Sequence, residues 1–111
     1  MYKPRYQNEQ TDLVMKAMLS LKDIDEAYRF CEDILTMQEL HKIALRLEVA
    51  MMLRQKTPYQ EIAHKTGAST TTISRVNRSL LYGADSYNIL LNRVSSESGA
   101  MNESIRSFYE S

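Results

Sequence analysis

Apolar positions along the chain recur with the period of a helix. Leu13, Ala17 and Leu21 stand four apart, with Val14 and Met18 beside them. This is one face of an amphipathic helix over about residues 8–21. Asp23, with Glu26 three residues on, predicts an N-cap and its capping-box partner. The second helix it opens has Ile24, Ala27, Tyr28, Cys31, Ile34 and Leu35 as its inner face. Thr36 and Glu39 repeat the device and start a long third helix reaching about Gln55. Its apolar set is Leu40, Ile43, Ala44, Leu47, Ala50 and Met51, joined by Leu45, Val49, Met52 and Leu53. The far end of this helix is therefore apolar nearly all round, a pattern that demands burial on every side. In a chain of 111 residues the simplest cover is a second copy of the chain, since so small a domain is short of core on its own.

Two short helices are expected between about residues 58 and 82, with Gly83 as C-cap. An amphipathic piece follows from Ser86 to Val94, with Tyr87, Leu90, Leu91 and Val94 on one side. From Ser95 the sequence turns polar and serine-rich, as a loosely ordered terminus does, although Ile105, Phe108 and Tyr109 can make a weak final helix. Three glycines and two prolines are too few to punctuate a set of strands, so the expected fold is all-α. It divides into a flexible arm at 1–7, a helical domain at 8–94 and a loosely ordered polar tail at 95–111. The arm carries Lys3 and Arg5 between Tyr2 and Tyr6. That composition suits either a disordered end or a basic arm lying over DNA.

The two short helices carry the informative chemistry. Residues 59–80 read YQEIAHKTGASTTTISRVNRSL. A helix-turn-helix needs a small residue where its helices cross, a turn residue tolerant of positive φ, and aliphatic residues on the inner face of its second helix. Ala63 is the small residue and Ile62 beside it is buried. Gly67, four positions on, supplies the turn. Ile73, Val76 and Leu80 make the inner face. Pro58 stands near the first turn of the first helix, where a missing N–H matters little, and Ser69 caps the second. With Ile73 and Val76 inward, Thr70, Thr71, Ser74 and Arg78 project outward and Thr72 lies at the side. A recognition helix presents such N-terminal side chains to base edges in the major groove. There, threonine methyls meet thymine methyls and hydroxyls reach bases or phosphates. Gln60 and Lys65 of the first helix, with Ser69 and Arg75, complete the residues expected to touch DNA.

Charge sharpens this reading. The 14 basic and 14 acidic residues cancel, which by itself argues against nucleic acid. The distribution reverses that. Residues 54–78 hold five basic side chains against one acidic, a net of +4, while the flanks on either side each carry −2.

Other chemistries find little support. Cys31 is the lone cysteine and reads as a buried apolar residue, not part of a disulfide or metal cluster. His41 and His64 are on different helices with no companion at ligand spacing, and both are expected on the surface. Asp23, Asp25 and Glu26 suit a helix N-terminus, where the dipole favours acids. The chain has no phosphate-binding glycine loop, nucleophile elbow or zinc-protease motif, so no enzyme is expected. There is no signal-peptide pattern and no apolar run of membrane length. A reduced, cytoplasmic, soluble protein is expected. Two readings of the helix-turn-helix stay open, a DNA-reading head or a surface that grips another protein of the transcription machinery.

From Leu35-Thr36 to Leu80 the chain resembles the Trp repressor superfamily. The TISRVNRSL run stands where the family has a similar T-I-T-R-x-x-x-S-L run, and the branch looks like the small YerC/YecD-type regulators. The resemblance implies an all-α, intertwined homodimer whose long third helix forms a shared core. Its two recognition helices would enter successive major grooves of a pseudo-palindromic operator. It matches Thr70, Thr71, Thr72 and Ser74 to the family's DNA contacts. It also implies a pocket for a small co-repressor, in the founding member L-tryptophan, with Arg46 and Arg75 on either side of the indole and Thr36 and Ser79 as polar contacts. Flat guanidinium groups stack on rings and pair with carboxylates. Val76, however, stands where the family has glycine beside the indole, and its branched side chain intrudes on a flat ring. Tryptophan is therefore not expected, and a different co-repressor or none stays open. Without a ligand, Arg46 would pair with Glu39 or Glu48, and Arg75 would meet a phosphate.

Overall fold

The structure is a computed structural model, and it describes residues 1–96. Six helices and no strands occur among the described residues. They fall into two compact units, the first ending at Thr36 and the second beginning at Met37. The predicted tail from residue 97, including Ile105, Phe108 and Tyr109, lies outside the described residues. Ser95 and Ser96, expected to open that tail, still belong to the last helix.

The first unit contains α1 (Glu9–Ser20) and α2 (Ile24–Ile34). Asn8 caps α1 reciprocally: its side-chain oxygen accepts from the Thr11 N–H at 2.8 Å, and the Thr11 hydroxyl oxygen accepts from the Asn8 N–H at 2.9 Å. Asp23 caps α2 by accepting from the Glu26 N–H at 2.9 Å. The expected return bond from Glu26 is displaced by one residue. Its carboxylate accepts from the Lys22 N–H at 3.0 Å, not from that of Asp23.

The predicted inner faces of these helices are not buried. Neither α1 nor α2 contains a buried residue. Leu13, Met18 and Ile34 keep 68%, 50% and 65% of their surface, and Cys31 is half-buried where full burial was expected. Two short helices lack the surface to cover both faces.

The second unit contains α3 (Met37–Arg54), α4 (Tyr59–Thr66), α5 (Thr70–Tyr82) and α6 (Ser86–Ser96). Its core is Val49, Ala50 and Met52 from α3, Ile62 from α4, Ala68 from the turn, Ile73 and Val76 from α5, and Leu91 from α6. Leu45, Leu53, Ala63, Leu80 and Tyr87 pack around them, partly buried. Val49, Ala50, Ile62 and Ile73 are wholly inaccessible. A fully buried aliphatic side chain of valine or isoleucine size contributes about 1.5–3 kcal/mol, so these few residues hold the unit together. Met51 and Ile43, on other sides of α3, remain 46% and 43% exposed. Within one chain, α3 is therefore not buried all round.

The junctions follow local chemistry. At the end of α3 the Lys56 N–H donates to Leu53 O and the Thr57 N–H to Met52 O, each at 3.0 Å. This is a Schellman closure, with Lys56 in left-handed backbone at φ 65°. Arg54 donates from α3 to the Asn92 side chain on α6. Gly83 is the C-cap of α5, but in extended backbone, not the left-handed form usual for a capping glycine. Its glycine is required by close approach, because a Cβ there would sit 2.5 Å from the Ser79 carbonyl oxygen. The positive φ falls two residues later, at Asp85.

Candidate nucleic-acid interface

The turn between α4 and α5 is built as its sequence predicts. Gly67 ends α4 at φ 76°, ψ 4°, and its N–H donates to Ala63 O at 2.9 Å. Ser69 caps α5 by accepting from the Thr72 N–H at 3.1 Å, and the two hydroxyls are themselves 3.1 Å apart. Thr66 adds a strap that sequence reading missed. Its hydroxyl donates to Ile62 O at 2.7 Å and accepts from the Ala68 N–H at 3.1 Å. Pro58, by contrast, gives α4 no side-chain cap.

With Ile73 and Val76 locked inward, α5 turns a continuous polar strip to solvent. Thr70, Thr71, Ser74, Arg75 and Arg78 line one open concavity of about 340 Å³. Five of the expected contact residues thus lie on one surface, with short hydroxyl side chains at the helix N-terminus and two guanidinium groups further along. The remaining expected contacts are placed differently. Gln60 is exposed on α4. Lys65 is exposed too, but its ammonium lies 3.4 Å from the Glu61 carboxylate. The Ser69 hydroxyl is committed to capping, and Thr72 is half-buried and lines another cavity.

That second cavity, about 210 Å³, is bounded by Arg46, Thr72, Arg75, Val76, Ser79 and Tyr87. The structure therefore brings together Arg46, Arg75 and Ser79, three of the four residues expected around a co-repressor. Thr36, the fourth, belongs to the first unit and is not among the lining residues. Tyr87 was not anticipated. It comes from α6, outside the helix-turn-helix, and only tertiary packing carries it here. The volume falls below the 300–1,000 Å³ usual for ligand pockets, and Val76, only 3% exposed, forms part of the wall. His41 and His64 are exposed, as expected. No group of three or more potential metal ligands occurs among the described residues, and none of their helices is long and apolar enough to cross a membrane.

A turn held by a left-handed glycine, a recognition helix with one apolar and one hydroxyl-and-arginine face, and a supporting long helix define a helix-turn-helix regulator that binds DNA. The particular family follows from comparison with known proteins. The model of the Trp repressor protein family matches residues 9–95, so the chain belongs to that family. It is 48% identical over 90 residues to the uncharacterised protein YerC of Bacillus subtilis strain 168, covering 81% of this chain and 86% of YerC. It is similar to the crystal structure of a TrpR-like protein from Eubacterium eligens. That likeness has a TM-score of 0.76 and 50% identity, over 80% of this chain and 92% of the other. It is similar also to a Staphylococcus aureus protein proposed to be a Trp repressor, with a TM-score of 0.76 and 39% identity, over 80% and 89% of the two chains.

Proposed function

We propose that the protein is a sequence-specific transcriptional repressor that binds a pseudo-palindromic operator as a homodimer. The observation that carries this reading is the polar strip of α5. Thr70, Thr71, Ser74, Arg75 and Arg78 share one open surface while Ile73 and Val76 anchor the opposite side of the helix. A helix fixed on one face and polar on the other can enter a major groove without rearranging. Its threonine methyls and arginine forks are groups that discriminate base pairs. Pairing of two chains is supported by the apolar faces of α1 and α2, which hold no fully buried residue among the described residues. A pair of chains also matches two half-sites one DNA turn apart.

Operator binding in this reading does not require tryptophan. The branched Val76 in the wall of the small cavity disfavours a flat indole there, and Arg46 and Arg75 are then available for a smaller ligand or for phosphate. The test is selection of duplexes from a random pool by the purified protein, with and without aromatic amino acids. The expected result is one palindromic consensus, the same in both arms, whose binding falls at least tenfold in the Thr71→Ala, Arg78→Ala double variant. A consensus recovered only with tryptophan overturns the ligand reading. Capture of DNA that ignores the double variant removes α5 as the reading head and leaves its surface to a protein partner.

A further inference from the structure

We propose that Lys56, on the turn between α3 and α4, is a DNA phosphate contact held in place by strained backbone. This rests on the reading of α4 and α5 as a DNA-binding head. Three described residues have positive φ: Gly67, Asp85 and Lys56. Glycine adopts that conformation freely, and aspartate is enriched there. Asp85 also uses its side chain locally, accepting from the Asn88 side-chain amide at 3.0 Å. Lysine has neither excuse. At Lys56 the Schellman bonds from the Lys56 and Thr57 N–H groups fix the left-handed form, and glycine is the residue that such a closure favours.

The Lys56 side chain does nothing for the fold that would offset this strain. It is exposed, and it takes no part in the Arg29–Asp25 or Lys65–Glu61 ion pair. The neighbouring cations are engaged: Arg54 donates to Asn92 and Lys65 faces Glu61. Of the three basic residues from Arg54 to the start of α5, Lys56 is the one with no ion pair or side-chain hydrogen bond among the described residues. It stands two residues before Pro58, the N-cap of α4. The first helix of a helix-turn-helix crosses the DNA backbone while the second enters the groove, so the turn leading into α4 lies on the phosphate side. A strained, non-glycine residue retained at a functional surface points to use of its side chain. The use that suits a lone ammonium there is neutralising a phosphate.

The experiment measures binding of the full chain to a random-sequence duplex and to a selected one over a range of salt, with melting temperature recorded alongside. Lys56→Gly relieves the backbone and removes the charge, Lys56→Asn removes the charge in a residue that tolerates the conformation, and Lys56→Arg keeps it. The expected result is a melting temperature for Lys56→Gly at or above that of the parent, together with weaker binding. Affinity should fall about fivefold per chain at about 0.15 M salt, with the salt slope reduced by about 0.9 per chain. The loss should be equal on both duplexes, shared by Lys56→Asn and absent in Lys56→Arg. Unchanged slopes in Lys56→Gly and Lys56→Asn, while the Thr71→Ala, Arg78→Ala variant still weakens binding, overturn this inference and leave the DNA reading standing. A parent protein with no salt-dependent DNA binding overturns both.

Discussion

The two units of this chain are written in the same alphabet and folded to different ends. Both contain short amphipathic helices with side-chain caps, Asn8 and Asp23 in the first and Ser69 in the second. The second unit encloses Val49, Ala50, Ile62 and Ile73 completely. The first encloses nothing, and Leu19 keeps 86% of its surface. Amphipathic periodicity therefore specifies which face of a helix seeks cover, and says nothing of whether that cover lies in the same chain. A self-sufficient reading head is coupled in sequence to a pair of helices whose apolar faces are left over.

The sharpest way to break this contrast is to cut into each unit in turn. Ile73→Ala in the second should cost about 2–5 kcal/mol, visible as a large fall in the chemical denaturation midpoint. The loss should be independent of protein concentration if the head folds by itself. Leu13→Glu with Met18→Glu, in the first, should convert the proposed dimer to a monomer in sedimentation and abolish any rise of melting temperature with concentration. No change in mass or melting would show that these faces have no partner. Gly67→Ala has room for its methyl, yet must hold a non-glycine residue at φ 76°. A loss of about 1 kcal/mol is expected, read in the same denaturation assay. The smallest effect belongs to the exposed pairs. Glu61→Gln in the second unit and Asp25→Asn in the first each remove an i,i+4 ion pair. Each should leave the denaturation midpoint almost unchanged, with any small difference vanishing in high salt.

Much of the head was legible because its constraints are local. Gly67 must turn, Ser69 must cap, and Ile73 and Val76 must face inward, all within a dozen residues. The outward positions of Thr70, Thr71, Ser74 and Arg78 then follow from helical geometry alone. What stayed hidden depended on packing or on fine backbone geometry. Tyr87 joins Arg46 and Arg75 around a cavity only because α6 folds back onto α3 and α5. Glu26 reaches Lys22 instead of Asp23, a choice one residue wide. Gly83 reads as the C-cap of α5 and is one, but that a Cβ there would meet the Ser79 carbonyl is visible only in the structure. The inner faces expected of α1 and α2 hold no fully buried residue, since a sequence carries no record of what a second surface would supply.

The uncovered first unit bears on how long each molecule survives. It leaves the ribosome before the head does, and under the proposed pairing it is the last part to find its cover. Until two chains meet, Leu13, Leu19 and Ile34 stay open to chaperones and proteases, and cellular quality control acts on exposed apolar surface. Lifetime then depends on concentration, short for scarce single chains and long for pairs. Under the proposed reading as a dimeric repressor, this would set a threshold, because stray copies would be removed before they could accumulate at an operator.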